Sequence, residues 1–456
     1  MARDVSDATP VESRDALVAW FESGSKPAEQ FRLGTEHEKF AFFRDTLAPV
    51  PYAGERSIHA LLEGMRLGSG WEPIRDGEHL IGLADDRGGG AISLEPGGQF
   101  ELSGAPVHNV HETAAELADH LAQLKAIADP LGIGFLGLGF SPVWSLAEIP
   151  AMPKRRYRIM RDYMPKVGTR GLDMMFRTST VQVNLDFSSE ADMVKKLRVS
   201  LALQPVASAL FANSPFKEGK PGGMLSERSE VWRDTDNQRA GMLPFAFDPG
   251  MGFERYVDYA LDVPMYFVKR ADTYHDVSGC SFRDLLAGKL AALPGERATL
   301  SDWVNHVGTI FPEVRLKRYL EMRGADCGSS AFLNALPALF TGLLYDGIAL
   351  DGGWDLVKSW NTEERQKLRD DVPRLALGAE IGGRNLRDIA RDMLGLARAG
   401  LARRAQRDTR GRDESHFLNC LDAVVNSGRT RAEDLLALFH GPWKGDARQV
   451  FGECAL

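Results

Sequence analysis

Four segments of this chain alternate polar and apolar residues with a period of two, and their polar positions hold acids and amides far more often than lysine. In GTEHEKFAFF, Gly34 to Phe43, Glu36 and Glu38 stand two residues apart, which on a strand puts both on one face. In ISLEPGGQFELSGAP, Ile92 to Pro106, Gln99 and Glu101 repeat the spacing, and Glu95 precedes a Pro-Gly-Gly bend. In FRTSTVQVNLDF, Phe176 to Phe187, Gln182, Asn184 and Asp186 share a face, while Val181, Val183, Leu185 and Phe187 take the other. In RLKRYLEMRGAD, Arg315 to Asp326, Glu321 and Arg323 lie opposite Leu320 and Met322. One such strand is most often a solvated surface, where lysine and glutamate mix. Four strands with this bias argue for polar faces gathered for chemistry.

Gathering them has an electrostatic cost. Two unit charges about 4 Å apart repel by roughly 4 kcal/mol at an effective dielectric near 20, so a face holding Glu36, Glu38, Glu95, Glu101 and Glu321 needs cations. Carboxylates and amides are hard oxygen ligands. Magnesium takes one or two carboxylates along with phosphate oxygens, so nucleotide binding is the economical explanation. Arg323 is then placed to meet a phosphoryl group in transfer.

The rest of the chain reads as mixed α and β. Amphipathic helices are expected at Ser13 to Gly24, His111 to Asp129, Arg155 to Met164, Glu254 to Leu261 and Phe282 to Ala291, with a nearly all-apolar, buried helix at Ala191 to Phe211. Strands are expected at Phe31 to Phe43, Ile133 to Phe140, Phe176 to Phe187 and Tyr319 to Arg323, and the C-terminal third reads as helical. GIGFLG, Gly132 to Gly137, fits a dinucleotide fingerprint but follows a helix instead of opening one, so it reads as a glycine-rich strand. No Walker loop is present. The basic cluster Lys154 to Arg161 reads first as a solvated helix face and second as a phosphate or carboxylate contact.

Charge and cysteine usage narrow the function. With 63 acidic against 55 basic residues the net charge is -8, which gives nucleic acid no electrostatic footing. The N-terminal stretch MARDVSDATPVESRDALVAW lacks the basic and apolar regions of an export signal, and no apolar run reaches the ~20 residues of a membrane span. A cytoplasmic location is expected. Cys280, Cys327, Cys420 and Cys454 are widely spaced and read as reduced thiols.

The four strand motifs, with ANSPFKEGKPGG at Ala212 to Gly223 and FERYVDYALDVPMYFV at Phe253 to Val268, resemble the plant and proteobacterial type of glutamate-cysteine ligase from about Phe31 onward. The resemblance implies an α+β fold with a glutamine-synthetase-like catalytic core: a curved, largely antiparallel sheet flanked by helices that binds ATP, magnesium and glutamate. It implies a single catalytic domain over residues 1–456, with a helical C-terminal third from about residue 340. The implied reaction joins the γ-carboxylate of L-glutamate to the amine of L-cysteine through a γ-glutamyl phosphate. Rival readings are a ligase of the same superfamily with another acid or amine, and a non-catalytic sensor of ATP or glutamate. By position, the resemblance implies Glu36, Glu38, Glu95, Glu101, Gln182 and Glu321 as magnesium ligands, and Arg323 with Glu321 as catalytic. Arg228, Arg239, Met175 and Asn184 are implied to bind substrate. A monomer or homodimer with small-molecule substrates is expected. The positions matching the redox cysteines of plant members hold Val277, Ala292 and Asn334, so thiol control of that kind is not expected.

Overall fold

The computed structural model describes residues 7–456; the first six, part of the stretch read above for export signals, lie outside the described residues. In chain order the strands are β1 (Leu33–His37), β2 (Phe40–Phe43), β3 (Glu72–Asp76), β4 (His79–Ala84), β5 (Ala91–Leu94), β6 (Phe100–Ser103), β7 (Ile133–Leu136) and β8 (Thr180–Leu185). Short pieces follow: β9 (Phe216–Lys217), β10 (Lys220–Pro221), β11 (Ala240–Gly241), a hairpin of β12 (Phe267–Arg270) and β13 (Thr273–Asp276), and β14 (Phe311–Pro312). Then come β15 (Val314–Leu316) and β16 (Leu320–Asp326). Eight of these build one sheet in the order β15-β16-β8-β1-β6-β5-β4-β3, and every neighbouring pair runs antiparallel.

The helices are α1 (Arg14–Glu22), α2 (Ile58–Ser69), α3 (Val110–Ala128), α4 (Arg155–Tyr163), α5 (Gly171–Arg177), α6 (Glu190–Leu210) and α7 (Glu227–Val231). After them come α8 (Phe253–Asp262), α9 (Phe282–Leu286), α10 (Leu300–Gly308), α11 (Ser330–Leu344), α12 (Gly347–Val357), α13 (Thr362–Leu375) and α14 (Leu386–Arg404). Their starts follow local chemistry. The Asn109 side chain accepts from the Glu112 amide at the head of α3, and Ser189 does the same for Asp192 at the head of α6. Helix α6 is buried along most of its length, and its second half, Val199 to Leu210, is largely apolar. It packs on β16, while α11 packs on β8 and α3 on β1, so one face of the sheet is covered by helices. Val181, Val183, Leu185, Leu320 and Met322 belong to the resulting core. The polar residues between them face the other way.

Four expected elements end elsewhere. The stretch Phe31 to Phe43 is two strands in different sheets: β1 pairs with β6 and β8, whereas β2 pairs with β7. Phe176 and Arg177 belong to α5 and not to a strand, because helix α5 runs up to Arg177 and the ladder begins only at Thr180. The helix at Phe282 stops at Leu286, and the strand at Ile133 stops at Leu136. Among the described residues no single helix is long and apolar enough to cross a membrane.

Candidate active site

Sheet register brings distant segments onto one face. Glu36 lies opposite Ser103 on β6 and Gln182 on β8, and Asn184 lies opposite Gly34 on β1 and Glu321 on β16. A cavity of about 90 Å³ over the middle of this face is lined by Glu36, Glu38, Glu95, Glu101, Gln182 and Arg323, with Arg156, Tyr157 and Arg315 at its walls. Leu33, Thr35 and His37 are buried on the opposite side of β1 from Glu36, and Glu38, just past the end of the strand, lines the same cavity.

Each acid is held differently. Glu36 Oε1 accepts from Asn184 Nδ2 at 3.0 Å, and Glu38 Oε2 accepts from the Thr180 amide at 3.1 Å. The Glu95-Pro96-Gly97-Gly98 bend is closed by the Gly98 amide donating to the Glu95 carbonyl at 2.9 Å, and Tyr157 donates to Glu95 Oε1 at 3.3 Å. Glu101 is 3% exposed and accepts from Ser93 Oγ at 2.6 Å and Ser103 Oγ at 2.9 Å. Burial, with the Glu95 and Glu101 charges beside it, raises Glu38 well above the ordinary carboxylate range; burial and Glu101 likewise raise Glu95. Gln182 Oε1 and Asn184 Oδ1 are buried without a hydrogen-bond partner. A crowded set of carboxylates beside unpaired amide oxygens suits a hard divalent cation. Among the described residues, however, no three acidic, imidazole or thiol side chains are drawn close enough to hold an ion unaided.

Glu321, expected among the magnesium ligands, is not among the residues that line this cavity. Its carboxylate is fully buried and ringed by cations: Arg315 Nη2 at 2.6 Å, Arg323 Nη1 at 2.6 Å and Lys317 Nζ at 3.2 Å. Burial pushes its pKa up, but these three cations outweigh burial and hold it well below the usual range. It therefore orients Arg315 and Arg323, both of which line the cavity. Two further residues expected to bind substrate are engaged internally. Arg239 is fully buried, paired with Asp236 at 2.6 Å, donating to the carbonyls of Thr309 and Pro264, and stacked 3.7 Å from the Tyr266 ring centre. With its guanidinium so engaged, it is a structural ion pair. Met175 sits in an apolar cluster, 2% exposed, where its carbonyl accepts from Gln99; Met160 lines the cavity instead. Gln99 and Asp186, singled out with the strands, are also internal: Gln99 braces the Gly97 amide and the Thr178 carbonyl, and Asp186 binds Lys26.

Two more cavities share lining residues with the first. Past Arg323 and Phe311, toward β16, lies one of about 30 Å³ lined by Arg228, Trp232, Glu313 and Arg369. Arg228 donates to the Arg323 carbonyl at 2.7 Å and leaves its Nε unpartnered, and Arg369 Nε meets Glu313 Oε1 at 2.7 Å. Past Arg156, toward β3 and β4, lies one of about 420 Å³ walled by Ile74, Ile81, Lys154, Lys269 and Tyr274. Arg315, Glu313, Arg369 and Trp232 were missed in the sequence. Arg315 had a signal, since a hairpin over Val314–Met322 makes it the cross-strand partner of Glu321. Arg369 comes from α13, far along the chain, and carries no local signal.

Comparison with known proteins gives the family and the fold. Residues 32–453 match the family described as Glutamate-cysteine ligase family 2 (GCS2). The chain is 56% identical over 446 residues to a chloroplastic glutamate-cysteine ligase of Nicotiana tabacum, covering 98% of this chain and 83% of that one. It is 55% identical over 446 residues to the chloroplastic enzyme of Arabidopsis thaliana, again covering 98% and 83%. The crystal structure of a glutamate-cysteine ligase from Francisella tularensis in complex with AMP superposes with a TM-score of 0.55 at 13% identity, over 93% of this chain and 88% of that one. That likeness shows the fold, and it bears out the expected α+β, glutamine-synthetase-like architecture. The curated relatives are chloroplastic, which overturns the cytoplasmic location expected from the sequence.

Proposed function

The chain belongs to glutamate-cysteine ligase family 2, and we infer from that membership that it is an ATP-dependent glutamate-cysteine ligase catalysing the first step of glutathione synthesis. We propose further that the three connected cavities are its working trough. The observation that carries this reading is what the cavities share: Arg323 and Phe311 line both the acidic cavity and the small one, and Arg156 lines both the acidic cavity and the large one.

A carboxylate at neutral pH is a poor electrophile, so the acid must first be activated. An oxygen of the glutamate γ-carboxylate attacks the γ-phosphorus of ATP, the bond to the β-phosphate oxygen breaks, and ADP leaves. The cysteine amine then attacks the acyl carbon of the γ-glutamyl phosphate, and inorganic phosphate departs with the electron pair of the broken C–O bond. The chain supplies positioning and charge. Arg323, fixed by Glu321, faces the γ-phosphate from the amino-acid side, and Arg315 supports it. Arg228 holds a substrate carboxylate in the small cavity, where Trp232 and Glu313 give an apolar wall and an acceptor for an ammonium. The nucleoside lies beyond Arg156, because about 420 Å³ falls in the roughly 300–1,000 Å³ range of small-molecule pockets and about 30 Å³ does not.

Magnesium fits the middle of the trough. Glu36, Glu38, Glu95 and Glu101, with the Gln182 amide oxygen, would hold it, and it would supply charge neutralisation for the phosphates. Since magnesium keeps waters and phosphate oxygens as ligands, the absence of a ready-made three-acid cage among the described residues is compatible with this assignment. Asn184 holds Glu36 in place.

The test is mass spectrometry of the products after incubation with ATP, magnesium, L-glutamate and L-cysteine, alongside ADP release across a panel of amino acids. γ-Glutamylcysteine with stoichiometric ADP is expected. Faster ADP release with another acid or amine would replace the substrate assignment, and binding without turnover would replace the activity.

A further inference from the structure

The basic run Lys154 to Arg161 divides as α4 forms. Lys154 and Arg156 line the large cavity of the trough, and Arg156 lines the acidic one as well. Arg155, Arg158 and Arg161, three residues apart and so on one side of the helix, line a different cavity of about 370 Å³ that none of the roles above uses. Buried Met152 and Phe176, with Pro96, give it an apolar surface, and no carboxylate lines it. It shares a wall with the trough. Lys154 and Tyr157 border both, and each donates to the Leu94 carbonyl at the end of β5, at 2.7 and 2.8 Å.

The three arginines are unequally satisfied. Arg155 is paired with Asp76 and, at 2.7 Å, with Asp272. Arg161 meets its chain neighbour Asp162 at 3.5 Å, and among the described residues Arg158 has neither an ion pair nor a hydrogen bond. Like charges this close on a helix repel, and a chain of net charge -8 has acids to spare for such a patch. None is placed inside it. The guanidinium fork suits carboxylate and phosphate oxygens, and the cavity volume falls within the roughly 300–1,000 Å³ of small-molecule sites.

We propose that this cavity is a second ligand site, outside the trough, for an organic oxyanion that carries an apolar group. Arg158 and Arg161 take the carboxylate or phosphate, and the apolar group rests on Met152 and Phe176. A solvated basic face would show the same arginine spacing, but it would attract any anion weakly and gain nothing from an apolar group.

The experiment is isothermal titration calorimetry of the full chain with phenyl phosphate and with 3-phenylpropanoate, in magnesium, ADP and glutamate so that the trough is filled. Inorganic phosphate and benzyl alcohol serve as the two halves of the ligand. At least one of the two probes should bind at one site per chain, about tenfold or more tighter than either half, and the tighter probe names the oxyanion. Arg158→Glu/Arg161→Glu should weaken it about tenfold or more and Arg158→Gln/Arg161→Gln less, with turnover in the coupled ADP assay retained by both. No saturable binding of either probe, binding no tighter than that of inorganic phosphate, or binding that survives the charge reversal overturns the proposal. Binding seen only when magnesium, ADP and glutamate are left out also overturns it, since the probe then sits in the trough. Should the glutamate pair not fold, the glutamine pair and the comparison with inorganic phosphate decide.

Discussion

Glu101 is the best-anchored acid of the floor, with one carboxylate oxygen on Ser93 across the ladder and the other on Ser103 two residues along its own strand. Glutamine at this position keeps the shape and removes the charge. Glu101→Gln should lower kcat by about 100-fold or more in a coupled ADP assay at saturating magnesium, with melting nearly unchanged. Retention of wild-type turnover would exclude it from the cation shell. Another acid, outside the floor, carries a test of pH dependence. Glu227, 2% exposed at the start of α7, is raised to about 7, mainly because burial disfavours its charge. A carboxyl whose folded pKa exceeds its unfolded value binds its proton more tightly when native, so its contribution to stability declines as pH rises from about 4.5 to 7. Glu227→Gln should therefore be more stable than wild type at pH 8, by up to roughly 3 kcal/mol, and the advantage should vanish below the unfolded pKa. Urea midpoints measured across that range check the sign; an advantage that grows toward acid pH would refute the assignment.

Among the elements, β16 does the most to place the chemistry. Its ladder with β8 shifts register between Met322 and Ala325, and the two residues in the irregularity are Arg323 and Gly324. The shift turns Arg323 to the junction of two cavities. Glycine is needed there: a Cβ on Gly324 would sit 2.6 Å from Gln204 Nε2 and 2.7 Å from Ser208 Oγ, both on the buried helix α6. Gly324→Ala should displace the bulge and cut kcat about tenfold or more, while the fold survives with a modest loss of melting temperature. Unchanged kinetics would show that the bulge does not position Arg323. The break between β1 and β2 acts similarly, since it ends the main-sheet strand right where Glu38 must turn toward the cavity. The alternation of the sequence falters at both, since Phe40 and Phe42 take the parity of Glu36 and Glu38, and Ala325 takes that of Glu321 and Arg323, but it does not say which way the chain then turns.

At the scale of the molecule the helical C-terminal part is not a separable unit. Helix α11 packs against β8 and β1 on one side and α14 on the other, and its residues from Leu336 to Leu344 are all buried. We propose a single domain on that basis. A chain ending at residue 339 should fail to fold, and calorimetry of the full chain should give one cooperative transition; a soluble, cooperatively melting fragment would refute this. The sequence by itself determined which residues face the trough on each strand, because a period of two assigns Glu36, Glu101, Gln182 and Arg323 to one side whatever the sheet order. It also determined the buried character of α6 and the family. Only the tertiary structure decided what each polar residue then meets. Glu36 and Glu321 look alike in a strand pattern, yet one opens onto the cavity while three cations from neighbouring positions close around the other. Arg239 and Arg228 lie eleven positions apart in one motif, and just one of them borders a cavity. A side chain's charge is a local property, but its availability to a ligand depends on partners brought by distant segments, and those are fixed only when the sheet and helices pack.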